Sequence, residues 1–172
     1  MTEASSEKVK GRIIPFEDAS KLFQTSLILT LQSSILLIFK LNFSGETIKN
    51  LTKLSVTARE NSYSPYSNFP VGTAILCQND EIYQGCNVEN SSYGLSVCAE
   101  QTAICKAVSF GNKKFKALAV CAQSDNFTTC CGKCRQFIYE FGSDIDVYFV
   151  KPDLKEILIS SIAELLPYGF HF

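Results

Sequence analysis

Residues 71–122, VGTAILCQNDEIYQGCNVENSSYGLSVCAEQTAICKAVSFGNKKFKALAVCA, contain the pattern that decides the fold. Two strand-like runs, 71–77 and 81–89, flank an Asn-Asp turn, and this arrangement favours a β-hairpin. Alanines at helical spacing predict a helix over about 98–110, and the glycine that follows suits a helix end. The apolar run 116–122 then predicts a buried strand.

The segments on either side extend this pattern into one layered domain. Upstream, apolar residues at helical spacing predict a helix over 48–58 that ends before the Ser64-Pro65 pair. Downstream, the sequence predicts a third helix, two strands and a short terminal helix over 131–141, 146–150, 156–161 and 164–166. Alternating helices and strands predict an α/β fold in which helices cover one mixed sheet.

Length and composition exclude several classes of protein. The chain has 172 residues, 46% hydrophobic and 19% charged, which predicts one well-packed domain and not a disordered chain. A net charge of −1 does not indicate the strongly basic face that proteins use to bind a nucleic-acid backbone, so nucleic acid is disfavoured as a partner. The single histidine, His171, is next to the last residue. A Ser-His-Asp, Cys-His or HExxH site is therefore excluded, and any metal ligands must be cysteines or carboxylates.

The first 47 residues differ from the rest, and we interpret 1–47 as an N-terminal extension of uncertain role and 48–172 as the domain. Residues 22–39 carry no charge, but they contain several Gln, Ser and Thr. A membrane-spanning helix needs about 20 predominantly apolar residues. Three interpretations stay open for 22–39: a membrane anchor, an extra helix packed on the domain, or a segment outside it. The composition favours the last two.

Seven of the eight cysteines divide into two groups. Four lie inside apolar runs and are interpreted as small core residues: Cys77, Cys86, Cys105 and Cys121. Cys130, Cys131 and Cys134 form a cluster with CxxC spacing, which in a reducing compartment is typical of metal or redox chemistry.

Cys98 and the pair Cys131 and Cys134 each stand at a predicted helix start. Unpaired N–H groups and the helix dipole stabilise a thiolate at this position. Three thiolates with an open fourth position are typical of a catalytic zinc site, whereas four closed ligands are structural. Glu100, two residues after Cys98, is placed to act as a general acid and base on a water at the open position.

The segments SYSPYSNFPVG, GCNVENSSYG, VCAEQTAICKAV, CGKCRQF, EFG and ELLP resemble, in this order and spacing, the zinc-dependent cytidine deaminases. The resemblance covers residues 48–170. It implies an α-β-α layered fold with one mixed five-stranded sheet. It also implies hydrolytic deamination of cytidine and deoxycytidine, with release of ammonia, in pyrimidine salvage.

The resemblance implies a role for each residue of the metal site. Cys98, Cys131 and Cys134 would ligate one Zn²⁺ per chain. Glu100 would shuttle a proton from a zinc-activated water to N3 of cytosine, and later to the departing amine. An all-cysteine ligand set resembles the short homotetrameric branch of the family, in which neighbouring subunits complete the pocket.

The resemblance also implies substrate contacts. They are Asn87 and Glu89 to the ribose, Phe69 to the base or sugar, the backbone at Ala99 to the pyrimidine, and Tyr93 and Phe170 from neighbouring subunits. Independently, Asn87 and Glu89 share one face of a strand, where unpaired polar groups cost free energy that sugar hydroxyls could offset. The alternative is that both cap a neighbouring helix or bond to each other.

Three positions depart from the family pattern. Cys130 stands where proline is usual, and it is a potential competitor of Cys131 for metal. Gln101 stands where arginine is usual. Lys133 lies between two ligands, and we hypothesise that its charge partly replaces that arginine; the alternative is a solvated surface lysine.

Several alternatives to the cytidine deaminase interpretation stay open. A same-fold deaminase of a cytosine-containing antibiotic is disfavoured by the NVEN motif, and an RNA- or DNA-editing deaminase by the charge and ligand set. Glu100 disfavours an inactive zinc-binding paralogue, although Gln101 is compatible with one. Thiolates that must stay reduced favour a cytosolic location.

Overall fold

The computed structural model describes residues 12–20 and 43–172. In these ranges the strands are β1 (Arg12–Pro15), β2 (Val71–Cys77), β3 (Ile82–Cys86), β4 (Phe115–Ala122), β5 (Asp146–Val150) and β6 (Glu156–Ser161). The α-helices are α1 (Gly45–Arg59), α2 (Ala99–Ser109), α3 (Gly132–Tyr139) and α4 (Ile162–Leu165). Short 3₁₀ helices cover Phe16–Ser20 and Tyr93–Leu95.

The strands form one mixed sheet in the order β1-β6-β5-β4-β2-β3. The β4–β5 pair is parallel, and the other neighbouring pairs are antiparallel. Three predicted strands, 71–77, 146–150 and 156–161, are confirmed with the same bounds. The predicted mixed sheet is therefore confirmed.

The prediction of five strands is wrong, because β1 adds a sixth. It pairs antiparallel with β6, and Ile13 lies opposite Leu158. Ile14 is 5% exposed and Ala19 is 1% exposed, so this part of the extension is packed onto the domain. A four-residue strand is too short to show an alternating pattern, and its conformation depends on a partner some 145 residues away in sequence.

The sheet lies between two helical layers, as expected. Alternate residues of β4 face opposite sides: Leu118 and Val120 pack in the cluster formed with α2 and α3, whereas Ala117 and Ala119 pack beneath α1. Because the side chains beneath α1 are small, that helix lies close to the strands. The α-β-α layering therefore follows from the alternation along the central strands.

Two glycines allow the helices to approach the sheet more closely than any other residue would. A Cβ at Gly72 would lie 2.2 Å from the Ser55 carbonyl oxygen of α1. A Cβ at Gly85 would lie 2.3 Å from the Ala103 backbone nitrogen of α2. The start of α2, which carries Glu100, is thereby held against β3.

The second strand of the hairpin ends earlier than predicted, at Cys86 and not at residue 89. Beyond it the chain leaves the sheet, and Val88 makes isolated bridges to Tyr63 and Val97. This departure turns residues 87 and 89 towards the loop that precedes β2. The predicted apolar segment 22–39 lies outside the described residues, and within those residues no helix has the length and apolarity needed to cross a bilayer.

Candidate active site

Three cysteine thiols meet where α2 and α3 begin. Cys98 is the N-cap of α2, Cys131 is the N-cap of α3, and Cys134 lies in the first turn of α3. Their Sγ atoms all lie within 4.8 Å of one another. Neither N-cap side chain makes a capping hydrogen bond, so both thiols remain available to a ligand.

The thiols influence one another's protonation. A hydrogen bond from the Cys134 thiol is the largest influence on Cys98 and lowers the pKa of that thiol. The same hydrogen bond, followed by burial, raises the pKa of Cys134. The hydrogen bond therefore favours the thiolate form of Cys98 over that of Cys134, and a bound cation would favour ionisation of all three thiols.

Cys130 does not belong to this cluster. Its side chain is 2% exposed, and burial, followed by the nearby Glu100 carboxylate, raises the pKa of its thiol. Within the described residues, the group that could hold a metal contains Cys131 in preference to Cys130.

Glu100 and two of the thiols open onto one cavity of about 390 Å³. Glu100 is only 5% exposed and lies in the first turn of α2. The cavity also contacts Ala99, whose backbone N–H belongs to the unpaired first turn of the helix. A carboxylate, two thiols and a helix N-terminus therefore face the same cavity.

Asn87 lines this cavity and also holds its wall. Its Oδ1 accepts hydrogen bonds from the Val71 backbone N–H at 2.8 Å and from the Ser62 hydroxyl at 2.5 Å. Its Nδ2 donates to the Phe69 carbonyl oxygen at 2.9 Å. The wall that Phe69 contributes to the cavity is thus fixed by Asn87.

Glu89 has a similar arrangement. Its Oε2 accepts from the backbone N–H groups of Tyr66 at 2.8 Å and Ser67 at 3.2 Å. The Ser67 hydroxyl also donates to Oε1, and this bond is the main reason why the pKa of the Glu89 carboxyl is lowered. Asn87 and Glu89 are therefore paired with the loop and not with each other, so neither needs a sugar to satisfy an unpaired group.

Sequence reasoning did not identify Thr128, Thr129 or Arg135. The two threonines line the cavity, and they precede α3, the helix that carries Cys134. The Arg135 guanidinium donates to the Cys130 carbonyl oxygen at 2.7 Å and to the Thr129 hydroxyl at 3.1 Å. The position of the threonines directly before the cysteine cluster was the available signal for them.

Tyr93 and Phe170 lie apart from this cavity in the single chain. Tyr93 lines a neighbouring cavity of about 330 Å³ and makes an edge contact with Tyr66, with ring centroids 5.8 Å apart. Phe170, in the C-terminal segment, is 65% exposed. Among the described residues, neither side chain lines the cavity that contains Glu100.

Gln101 and Lys133 flank the cluster. Gln101 is 6% exposed, and its buried Oε1 has no hydrogen-bond partner among the described residues. The Lys133 charge lowers the pKa of Cys98, although it contributes less than the hydrogen bond from Cys134. This direction is the one that the charge-replacement hypothesis requires.

Comparison with known proteins gives consistent results. Residues 45–151 match the family model described as the cytidine and deoxycytidylate deaminase zinc-binding region. The chain is 47% identical over 126 residues to a cytidine deaminase of Sporosarcina psychrophila, covering 72% of this chain and 90% of that protein. It is 46% identical over 123 residues to a probable cytidine deaminase of Dictyostelium discoideum, covering 71% and 82%.

Solved structures agree with these sequence comparisons. The crystal structure of a cytidine deaminase from Burkholderia pseudomallei is similar with a TM-score of 0.67 and 38% identity, covering 70% of this chain and 97% of that chain. The cytidine deaminase of Mycobacterium tuberculosis is similar with a TM-score of 0.64 and 34% identity, covering 73% and 98%.

Proposed function

This chain belongs to the cytidine and deoxycytidylate deaminase family and is a zinc-dependent cytidine deaminase, and we propose that it converts cytidine and deoxycytidine to uridine and deoxyuridine. One observation carries the proposal. Three thiols within 4.8 Å of one another stand beside a cavity that also contains the buried carboxyl group of Glu100.

The three thiols fit zinc. Zinc binds thiolates at about 2.3 Å, so the sulfurs around one ion lie within a few ångströms of each other, as these do. Cys98, Cys131 and Cys134 would hold the ion and leave a fourth position open towards the cavity. When bound there, zinc lowers the pKa of water enough to supply hydroxide at neutral pH.

Glu100 would move the protons. Its carboxylate accepts a proton from the attacking water and delivers it to N3 of the cytosine ring while the water oxygen bonds to C4. The second proton then goes to the exocyclic amine, the C4–N4 bond breaks and ammonia leaves. The carboxylate is restored at the end, so water and the nucleoside account for every atom of the products. Its position suits this role, because the carboxyl group lines the same cavity as the thiols of Cys98 and Cys131.

The cavity walls would position the nucleoside. Phe69 offers an aromatic face to the base or sugar, and the Ala99 backbone N–H would donate to the pyrimidine. Asn87 and Glu89 would contact the ribose hydroxyls while they continue to hold the loop 62–71. Both line the cavity, and the Asn87 amide has one N–H beyond the bond to Phe69.

We propose that the protein is a homotetramer in which Tyr93 and Phe170 reach neighbouring pockets. Support comes from their exposure in the single chain, 74% and 65%, which is high for aromatic side chains. We also propose that it acts in pyrimidine salvage in the cytosol, where thiolates stay reduced. Residues 48–172 would form the catalytic domain.

A spectrophotometric assay with cytidine, deoxycytidine, cytosine and CMP tests the proposal. We expect activity on the two nucleosides and a loss of about 10²-fold or more in Glu100→Ala. Zinc content should stay near one ion per chain in both proteins. The exposed Glu140→Ala serves as the matched control and should keep full activity.

Two results would contradict the proposal. Undiminished turnover by Glu100→Ala would remove the proposed proton shuttle. Bound zinc without turnover on any of the four compounds would favour a deaminase of a cytosine-containing antibiotic or an inactive zinc-binding paralogue.

A further inference from the structure

The C-terminal tail, residues 166–172, carries three exposed aromatic residues. Tyr168 and Phe172 are fully exposed, and Phe170 is 65% exposed. The rings of Phe170 and Phe172 contact each other edge-to-face, with centroids 5.2 Å apart. A chain end with so little buried surface ordinarily has no defined path. Something other than burial must hold this tail in place.

Gln136 holds the tail at two points. Its Nε2 donates to the Phe170 carbonyl oxygen at 2.9 Å, and its Oε1 accepts from the Phe170 N–H at 3.0 Å. One side-chain amide thus pairs with both polar groups of one backbone residue, as a neighbouring strand would. Such a two-point contact fixes the direction of the backbone as well as its location.

Two neighbours of Gln136 on α3 hold the same segment. Arg135 Nη1 donates to the Leu165 carbonyl oxygen at 3.0 Å, where α4 ends. The Tyr139 ring lies so close to Gly169 that a Cβ there would be 2.6 Å from a ring carbon. The tail is therefore aligned along the helix whose first turn carries Cys134.

The Gln136 contact orients a ring that remains largely exposed. The amide bonds to backbone atoms of Phe170, while the phenyl ring contacts the Phe172 ring and stays 65% exposed. Hydrogen bonds to the backbone of residue 170 could form with any side chain at that position, so they do not by themselves require an aromatic residue. An oriented, exposed ring is suited to enter an apolar site on another molecule.

We propose that Gln136 is a positioning residue for substrate binding: it directs the Phe170 ring from the zinc-bearing helix into the nucleoside pocket of a second copy of this chain. This inference rests on the proposed role of Phe170 between subunits. The pocket has an aromatic surface to receive the ring, because Phe69 lines it and is 37% exposed in the single chain.

A double-mutant cycle on the full-length protein tests this proposal, with cytidine as substrate. Phe170→Ala removes the ring but keeps the backbone atoms that Gln136 binds, and we expect it to raise KM by about 10-fold or more. Gln136→Ala should raise KM by about 3- to 10-fold, with kcat within about 2-fold. The double variant should have the KM of Phe170→Ala, because the ring that Gln136 orients is gone.

Gln136→Met repeats the test with a side chain of similar length and no amide, in case the alanine variant folds poorly. Glu140→Ala, at the exposed C-cap of α3, is the matched control and should leave KM unchanged. Zinc content and oligomeric state, measured for every variant, should equal those of the wild type.

Three outcomes would overturn the proposal. Gln136→Ala could raise KM equally with and without Phe170, which would mean that the two residues act independently. Loss of zinc in both Gln136 variants would make the residue a structural support of the metal site. A wild-type KM in Phe170→Ala would show that the Phe170 ring does not contribute to substrate binding, so Gln136 could not act through it. Inactivity of Glu100→Ala in the same assay would still support the deaminase function.

Discussion

At the scale of single residues, Gly85 sets the distance between the sheet and the helix that carries Glu100. We expect Gly85→Ala to lower the free energy of unfolding by about 2 to 3 kcal/mol, because the added Cβ would lie 2.3 Å from backbone that cannot yield. Displacement of α2 should also lower kcat. Chemical denaturation and the cytidine assay measure both effects.

Gly94→Ala is the matched control for that substitution, since a Cβ there would meet nothing within 4 Å. Its unfolding free energy should stay within about 0.5 kcal/mol of the wild type. Equal stability of the Gly85 and Gly94 variants would show that α2 tolerates displacement from β3.

Asp146, at the start of β5, gives a pH-dependent prediction. Burial raises the pKa of its carboxyl to about 6, despite the hydrogen bond that Tyr148 donates at 3.3 Å. A carboxyl that binds its proton more tightly when folded favours folding at low pH, and this contribution is lost as the pH rises through about 6. Asp146→Asn should therefore stabilise the protein at pH 7.5 by about 1 kcal/mol, since partial solvation weakens the effect.

The measurement compares unfolding free energies at pH 5 and pH 7.5. The stability gained by Asp146→Asn should be larger at pH 7.5 than at pH 5, and the exposed Asp125→Asn should show no such difference. A gain that is the same at both values would mean that the Asp146 carboxyl is not buried as a neutral group.

The residues of the metal site could be predicted from the sequence, whereas the contacts that hold the site could not. Cys98, Cys131 and Glu100 belong to short motifs whose spacing reflects helix starts. The bonds of Arg135 and Gln136 join a side chain to backbone carbonyls about 30 residues away. Every residue has a backbone carbonyl, so the identity of such a partner cannot be predicted from its residue type.

At the scale of elements, substitutions in β1 test whether this strand of the N-terminal extension packs on β6. Ile13 and Ile14 are neighbours on this strand, 54% and 5% exposed. We expect Ile14→Ala to lower the free energy of unfolding by about 2 kcal/mol or more, and Ile13→Ala to change it by less than about 0.5 kcal/mol. Thermal or chemical denaturation of the two variants measures the difference. Equal small effects would mean that β1 does not pack on β6 in solution.

The central elements could be predicted because each carries its own pattern. Residues 71–77 and 146–150 are predominantly apolar runs, and α1 has an apolar stripe that follows the capping residue Ser44. The strand β1 could not be predicted in the same way. It has four residues, and pairing with β6, not a local preference, makes it a strand.

At the scale of the whole molecule, the Glu100 cavity and strand β1 are separate parts of the described structure. The residues that line the Glu100 cavity all lie between 67 and 131, and the match to the family begins at residue 45. We expect a truncated protein of residues 44–172 to deaminate cytidine with a kcat near that of the full chain, but to unfold at a lower temperature. Kinetic assays and a thermal melt check the two statements, and a folded tetramer without activity would contradict the first.

The short strand at the N-terminus also determines which sheet edge the protein presents to other molecules. Without β1, the six residues EILISS of β6 would offer unpaired backbone groups, a template on which strands of other chains can add. With β1 in place, the outermost strand among the described residues has four residues and ends at Pro15, whose nitrogen carries no hydrogen. We therefore expect β1 to protect the protein against aggregation, and its loss to reduce the concentration at which the enzyme stays dispersed more than it reduces turnover.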